Sequence, residues 1–210
     1  MCLSDNPRNC RTRCSAYVQM GRYAFLIDTG PDLRYQALRE RITRVDAVLY
    51  THPHADHLNG IDDLRAFCHH QQSAIPLYGN AFTIENIRSR FEYALLPPSA
   101  VWDKPVLTPI TVEGPVQYDE LSLVPIPLSH GRWPCMGWRL GEVAWLTDLS
   151  DIPLSSLPLL EGLHVLFLDC LRTTPYPSHL NVAQSFSWAE RIGAQRTILI
   201  HMTHELGLSP

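Results

Sequence analysis

Charge is scarce in this chain. Only 18% of its 210 residues are Asp, Glu, Lys or Arg, and 17 basic against 21 acidic residues leave a formal net charge of −4. A surface built to hold long nucleic acid needs a basic excess, so nucleic acid is not an expected partner. Apolar runs of membrane-spanning length are missing too, which excludes a bilayer partner. The opening residues, Met1-Cys2-Leu3-Ser4-Asp5-Asn6-Pro7-Arg8, lack the charged-then-apolar layout of a secretion signal, and the expected address is the cytoplasm. Cysteines stand at 2, 10, 14, 68, 135 and 170 with no C-x-x-C pair, so free thiols are expected rather than disulfides. Cys68 in a helical pattern and Cys170 at the end of an apolar run read as small buried hydrophobes. Cys10 and Cys14, four residues apart with no second pair, are a weak metal signal. There is no repeat, low-complexity tract or linker, and 45% hydrophobic content is enough for a single domain over residues 1–210.

The text alternates strand and helix signals. Tyr23 to Asp28 is a short apolar run ending in Thr29-Gly30-Pro31, and Asp32 to Ile42 carries Leu33, Ala37, Leu38 and Ile42 at helical spacing. Val45 to Tyr50 reads as a second strand, Leu58 to His70 as a helix, Ile75 to Tyr78 as a strand, and Phe82 to Leu95 as a helix stopped by Pro97-Pro98. From Val106 to Leu146 four strand-like runs, 106–112, 121–128, 136–140 and 143–146, suggest an antiparallel meander. Alternation then returns: strand at 164–168, amphipathic helix at 182–192 through Val182, Phe186, Ala189 and Ile192, and strand at 197–200. A layered α/β domain with functional residues at strand ends is the expectation.

Residues 51–57, Thr-His-Pro-His-Ala-Asp-His, concentrate metal-binding groups. Imidazole nitrogen and carboxylate oxygen suit zinc, manganese or iron alike. His52 and His54, two apart on an extended segment, can turn to one side and share one ion. Asp56 and His57 follow where a helix would begin and can serve a second. Two ions close together can activate one water and clamp one oxyanion, the chemistry of a metal-dependent hydrolase.

Three apolar strands each end in one further ligand-type residue: His130 after Leu123 to Ser129, Asp148 after Val143 to Thr147, and His201 after Thr197 to Ile200. Singly, a histidine there is more often a turn residue and an aspartate a helix cap. Together with the first cluster they can complete two sites, Asp148 bridging, His130 joining His52 and His54, and His201 joining Asp56 and His57. Arg132, Trp133 and Trp138 follow His130; they can contact a phosphate or a base, or the tryptophans can be core.

The order H-x-H-x-D-H, then His130, Asp148 and His201, resembles the metallo-β-lactamase superfamily over nearly the whole chain. Within it, Leu26 to Arg34, Gly60 to Arg65 and Ser178-His179-Leu180-Asn181 resemble the phosphoribosyl 1,2-cyclic phosphate phosphodiesterase branch. The resemblance implies a four-layer αββα sandwich with a dinuclear centre, held by His52, His54, Asp56, His57, His130, Asp148 and His201. It implies two divalent ions, zinc or manganese with iron also suited, and a small, cyclic or nucleotide-like phosphodiester as substrate. Attack by a metal-bridged hydroxide, with Asp56 taking a proton and His179 assisting the leaving alkoxide, is the implied mechanism. The plain alternative for His179 is a loop residue between Pro177 and the helix near Asn181.

Two departures accompany the resemblance. Relatives of this branch open with a strand and a Gly-rich loop before a cysteine cluster, so the first strand is expected to be missing here. Of a structural zinc site built from three cysteines and a histidine, Cys2 and His204 alone have counterparts, a possible remnant. A homodimer is a possible assembly, since dimers are common among homo-oligomers. The competing readings are a tRNA tail-processing endonuclease, which would need a Gly- and Lys-rich arm absent from this sequence, another superfamily hydrolase such as a lactamase or thioesterase, and an inactive metal-binding remnant.

Overall fold

The computed structural model describes residues 4–97 and 106–207. These form two compact units, one within residues 12–112 and one of residues 4–11 with 113–207. The expected Cys2 lies outside the described residues, and His204 sits in an exposed turn.

The unit of residues 12–112 is built on a five-stranded sheet. Its strands are β1 (Ala16–Met20), β2 (Tyr23–Ile27), β3 (Ala47–Leu49), β4 (Ile75–Gly79) and β5 (Leu107–Thr111), in that spatial order. β1 and β2 form an antiparallel hairpin, and β2 through β5 run parallel. Parallel strands are covered on both faces, so they need continuous apolar runs rather than alternation. That is why all five residues of β2 and all three of β3 are buried. Helices α1 (Leu33–Arg39), α2 (Ala55–Leu58), α3 (Leu64–Gln71) and α4 (Ala81–Arg90) follow the strands. Leu26, Val48, Tyr50, Leu58, Leu64, Leu77, Ile84 and Ile87 make the core, with Cys68 buried among them.

The second unit carries a six-stranded sheet ordered β11-β10-β9-β8-β7-β6. Its strands are β6 (Val116–Tyr118), β7 (Leu121–His130), β8 (Trp133–Leu140), β9 (Val143–Leu146), β10 (Val165–Asp169) and β11 (Arg196–Ile200). β6 to β9 form the antiparallel meander, while β9, β10 and β11 are parallel. Helix α5 (Val182–Ile192) starts with a capping box between Asn181 and Gln184 and ends at Gly193 in the left-handed conformation.

Several expectations change in detail. The run at 106–112 is not part of the meander; β5 pairs in parallel with β4 instead. The helix expected over 58–70 is broken into α2, a 3-10 turn at Ile61–Asp63 and α3. The cause is close backbone approach: a Cβ on Gly60 would collide with the carbonyl oxygen of Gly30, and the Gly60 N–H instead donates to the Thr29 carbonyl at 2.8 Å. In α5 the expected apolar residue Phe186 is 62% exposed, and buried Ser185 faces inward, donating to the Asp169 carbonyl at 2.6 Å.

Candidate functional site

In the unit of residues 12–112 the candidate residues gather where β2 and β3 end. Asp28 follows β2 with a φ of 61°, a left-handed conformation that costs a non-glycine residue about 1–3 kcal/mol and persists where surroundings enforce it. The surroundings here are donors. Asp28 is fully buried and accepts from the Thr51 N–H, the Thr51 hydroxyl and Nδ1 of His57, each at 2.8 Å. Burial pushes its carboxyl above the ordinary aspartate range, while His57 and Thr51 pull it back. Because Nδ1 of His57 donates to Asp28, Nε2 is the nitrogen left to act as a ligand. It lies 3.5 Å from Oδ2 of the partly exposed Asp56.

The same logic fixes His52. The Thr51 hydroxyl spends its proton on Asp28, so toward Nδ1 of His52, 3.0 Å away, it acts as acceptor. The lone pair of His52 is thereby on Nε2, which lies 3.0 Å from Nδ1 of His54. Two imidazole nitrogens on a tetrahedral zinc, with Zn–N near 2.0–2.1 Å, are separated by roughly 3.3 Å. The pair therefore fits a shared cation. His52 is buried and His54 is exposed.

The second unit presents its candidates in the same way. His130 ends β7, and its Nδ1 donates to the Ser178 carbonyl at 2.8 Å, leaving Nε2 as the ligand atom. Asp148 follows β9 at a φ of 53° and His201 follows β11 at a φ of 59°, so each strand end turns sharply at the candidate residue. Oδ1 of Asp148 accepts from the Thr147 hydroxyl at 2.6 Å and lies 3.2 Å from Nε2 of His201. Asp148, Asp169, His179 and His201 together bring one potential ligand atom each to within 4.8 Å of the others. The ring of His179 stacks on that of His201, with centroids 5.2 Å apart and planes 4° from parallel, and meets His130 edge-on at 4.8 Å.

Asp169, which ends β10, was not anticipated. It is fully buried; Oδ1 accepts from the Asp148 N–H at 3.3 Å and faces Nδ1 of His201 at 3.5 Å. Oδ2 accepts from the Leu180 N–H at 3.0 Å and faces Nδ1 of His179 at 3.4 Å. Asp28 likewise entered the sequence reading only as part of a motif. Both follow the rule that exposed Asp148: an aspartate closing an apolar strand. Trp138 is core, with no exposed surface, whereas Trp133 is 40% exposed and Arg132 is exposed beside it.

The chain matches a family model and is similar to several known proteins. A family model described as the beta-lactamase superfamily domain matches residues 23–202. The chain is similar to the crystal structure of a new diphosphatase from the PhnP family, with a TM-score of 0.89 and 37% identity, over 98% of this chain and 79% of that one. It shares the fold of YhfI from Bacillus subtilis, a metallo-beta-lactamase fold protein, at a TM-score of 0.76 and 21% identity, over 98% of this chain and 82% of that one. It is also 35% identical, over 212 aligned residues, to an octanoyltransferase of Porphyromonas gingivalis strain ATCC BAA-308 / W83; the match takes in 99% of this chain but only 42% of that protein.

Proposed function

The chain belongs to the metallo-β-lactamase superfamily, in its PhnP-like branch, and is a metal-dependent hydrolase with that family's α/β sandwich fold; from this premise we propose that it is a phosphodiesterase acting on a small, cyclic or nucleotide-like phosphodiester. The observation that carries the proposal is the arrangement of His179, a histidine beside the ligand-type pair Asp148 and His201 whose Nδ1 faces the buried carboxylate of Asp169. The diphosphatase name of the PhnP relative supports the same substrate chemistry, the attack of water on phosphorus.

In this reading His52, His54, Asp56, His57, His130, Asp148 and His201 serve two divalent cations, zinc or manganese, with iron also suited. Bound cations supply Lewis acidity and an acidified water, and neutralise charge on the phosphoryl oxygens. The chain's own residues do the rest. Asp56, partly exposed, accepts the proton of the attacking water. His179, whose Nδ1 faces Asp169 at 3.4 Å, gives a proton from Nε2 to the departing alkoxide. Asp28 holds the tautomer and ring orientation of His57, and Asp169 faces Nδ1 of His179 and of His201.

The octanoyltransferase name belongs to a protein of which this chain matches 42%, so octanoyl transfer enters as an arm of the test rather than as a conclusion. The full chain is stripped with a chelator, reloaded with zinc or with manganese, and assayed on bis(p-nitrophenyl) phosphate, a ribose cyclic phosphate, a dinucleoside diphosphate and an octanoyl thioester. Metal-dependent turnover of the phosphorus esters is expected. Folded, metal-loaded protein that turns over none of them, or that consumes the thioester in preference, would sink the proposal and favour an inactive remnant or an acyl-transfer role.

A further inference from the structure

The unit that carries His130 and His179 also carries two exposed aromatic rings, each on a tight turn anchored to one of these histidines. His130 and Trp133 are cross-strand partners flanking the two-residue turn Gly131-Arg132. Gly131 has a φ of 57°, and a Cβ there would sit 3.3 Å from that of Ser178, so the turn is packed against the segment leading to His179. Its N–H is tied to the Ser150 hydroxyl at 3.1 Å. The other ring, Tyr176, is 45% exposed on a loop closed at its base by Leu171 N–H to Leu180 C=O and Val182 N–H to Arg172 C=O, both 2.9 Å. Tyr176 pairs with His179 in a single bridge, and their ring centroids are 5.8 Å apart.

Each ring carries a guanidinium on its face: Arg132 over Trp133 at 4.7 Å and Arg172 over Tyr176 at 4.9 Å. Exposed rings on anchored turns are not explained by the core, which takes Trp138 instead. Planar rings and guanidinium planes are the two surfaces on which nucleobases stack, and an arginine there also answers a phosphate charge. In a chain of net charge −4, Arg132 beside the ring next to His130 fits an anionic ligand with a flat aromatic part, while Arg172 beside Tyr176 is shared with Glu205, Nη1 to Oε1 at 3.4 Å.

We propose that Trp133 and Tyr176, with Arg132 and Arg172, form a base-stacking platform, so that the substrate is a nucleotide rather than a base-free sugar phosphate. The inference rests on the phosphodiesterase reading for its chemistry, but its binding test does not. Affinities of the metal-loaded full chain for AMP and for ribose 5-phosphate, which differ by the base alone, are measured by titration calorimetry. AMP is expected to bind at least about tenfold tighter, and Tyr176→Ala and Trp133→Ala are each expected to reduce that preference by about fivefold or more, the scale of one lost base–aromatic stack. Tyr176→Phe keeps the ring and the preference. A preference near one in the parent, or one untouched in both alanine variants, overturns the platform. Turnover of bis(p-nitrophenyl) phosphate is followed in parallel: its absence together with a base preference in binding would defeat the phosphodiesterase reading and leave the platform standing.

Discussion

Nδ1 of His57 meets Oδ2 of Asp28 at 2.8 Å, with both side chains buried. The same carboxylate accepts from the backbone and hydroxyl of Thr51, so one residue at the end of β2 orients His57 directly and His52 through Thr51. Replacing it by alanine removes the acceptor of three buried donors. Asp28→Ala is expected to lose about 3–5 kcal/mol of stability in urea unfolding of the metal-free protein. Asp28→Asn keeps the shape and should lower metal affinity about 10- to 100-fold, read by competition with a chromophoric chelator. Parental metal affinity in Asp28→Asn would show that His57 needs no such orientation.

Asp169 has a looser relation to the second unit, facing Nδ1 of His179 at 3.4 Å and of His201 at 3.5 Å. Because it acts through these rings, Asp169→Asn should lower kcat by about 10- to 100-fold with little change in KM. A purely structural role would instead appear as lost stability with unchanged kcat in the folded fraction. Measuring kcat, KM and the urea midpoint on one preparation separates the two.

How legible all this was depends on where each group sits along the chain. His52 to His57 could be read because the ligand types are adjacent, and a fold has no packing use for them at that density. His130, Asp148 and His201 could be read because each closes an apolar strand. Asp28 and Asp169 obey the same rule, but their partners are 29 and 10 residues away, at His57 and His179, and local spacing does not connect them. β1 escaped notice because its residues are mostly half-buried, so its text carries neither a continuous apolar run nor clean alternation. The unbroken helix expected over 58–70 failed at Gly60, where the deciding contact is with Gly30.

That contact makes a prediction of its own. A Cβ on Gly60 would collide with the Gly30 carbonyl oxygen, and one on Gly30 with the Asp56 carbonyl oxygen; both obstacles are backbone and cannot swing aside. Gly60→Ala should therefore displace the segment carrying Asp56 and His57 and cost about 1–3 kcal/mol by strain. Loss of metal binding together with a lowered melting temperature is the expected result. A variant with parental stability and metal content would mean that the two loops can separate at no cost.

Burial pushes the thiols of Cys68 and Cys170 above their ordinary range, and both side chains are inaccessible. A raised pKa means less thiolate at any given pH, so alkylation of these two by iodoacetamide at pH 8 should be slow in the native protein and complete after denaturation. Cys10, which is exposed, should label before either of them. Peptide mapping after a short pulse reads the order, and early labelling of Cys68 would contradict its place in the core.

His179 is the sharpest discriminator between a ligand and a proton donor. Its Nε2 lies 3.8 Å from Oδ2 of Asp148, close enough to belong to the group of potential ligands around that carboxylate, yet its Nδ1 faces Asp169 as an oriented acid or base would. If it is the acid, His179→Ala lowers kcat by about 10²- to 10⁴-fold while metal content measured by elemental analysis stays at the parental value. The deficit should then shrink for a substrate whose leaving group is already a weak base, such as p-nitrophenolate, because such a group departs without a proton. If it is a ligand, metal content falls and the deficit is the same for every leaving group. Comparing a p-nitrophenyl ester with an alkyl ester of the same phosphate therefore assigns the role from the variant's own kinetics.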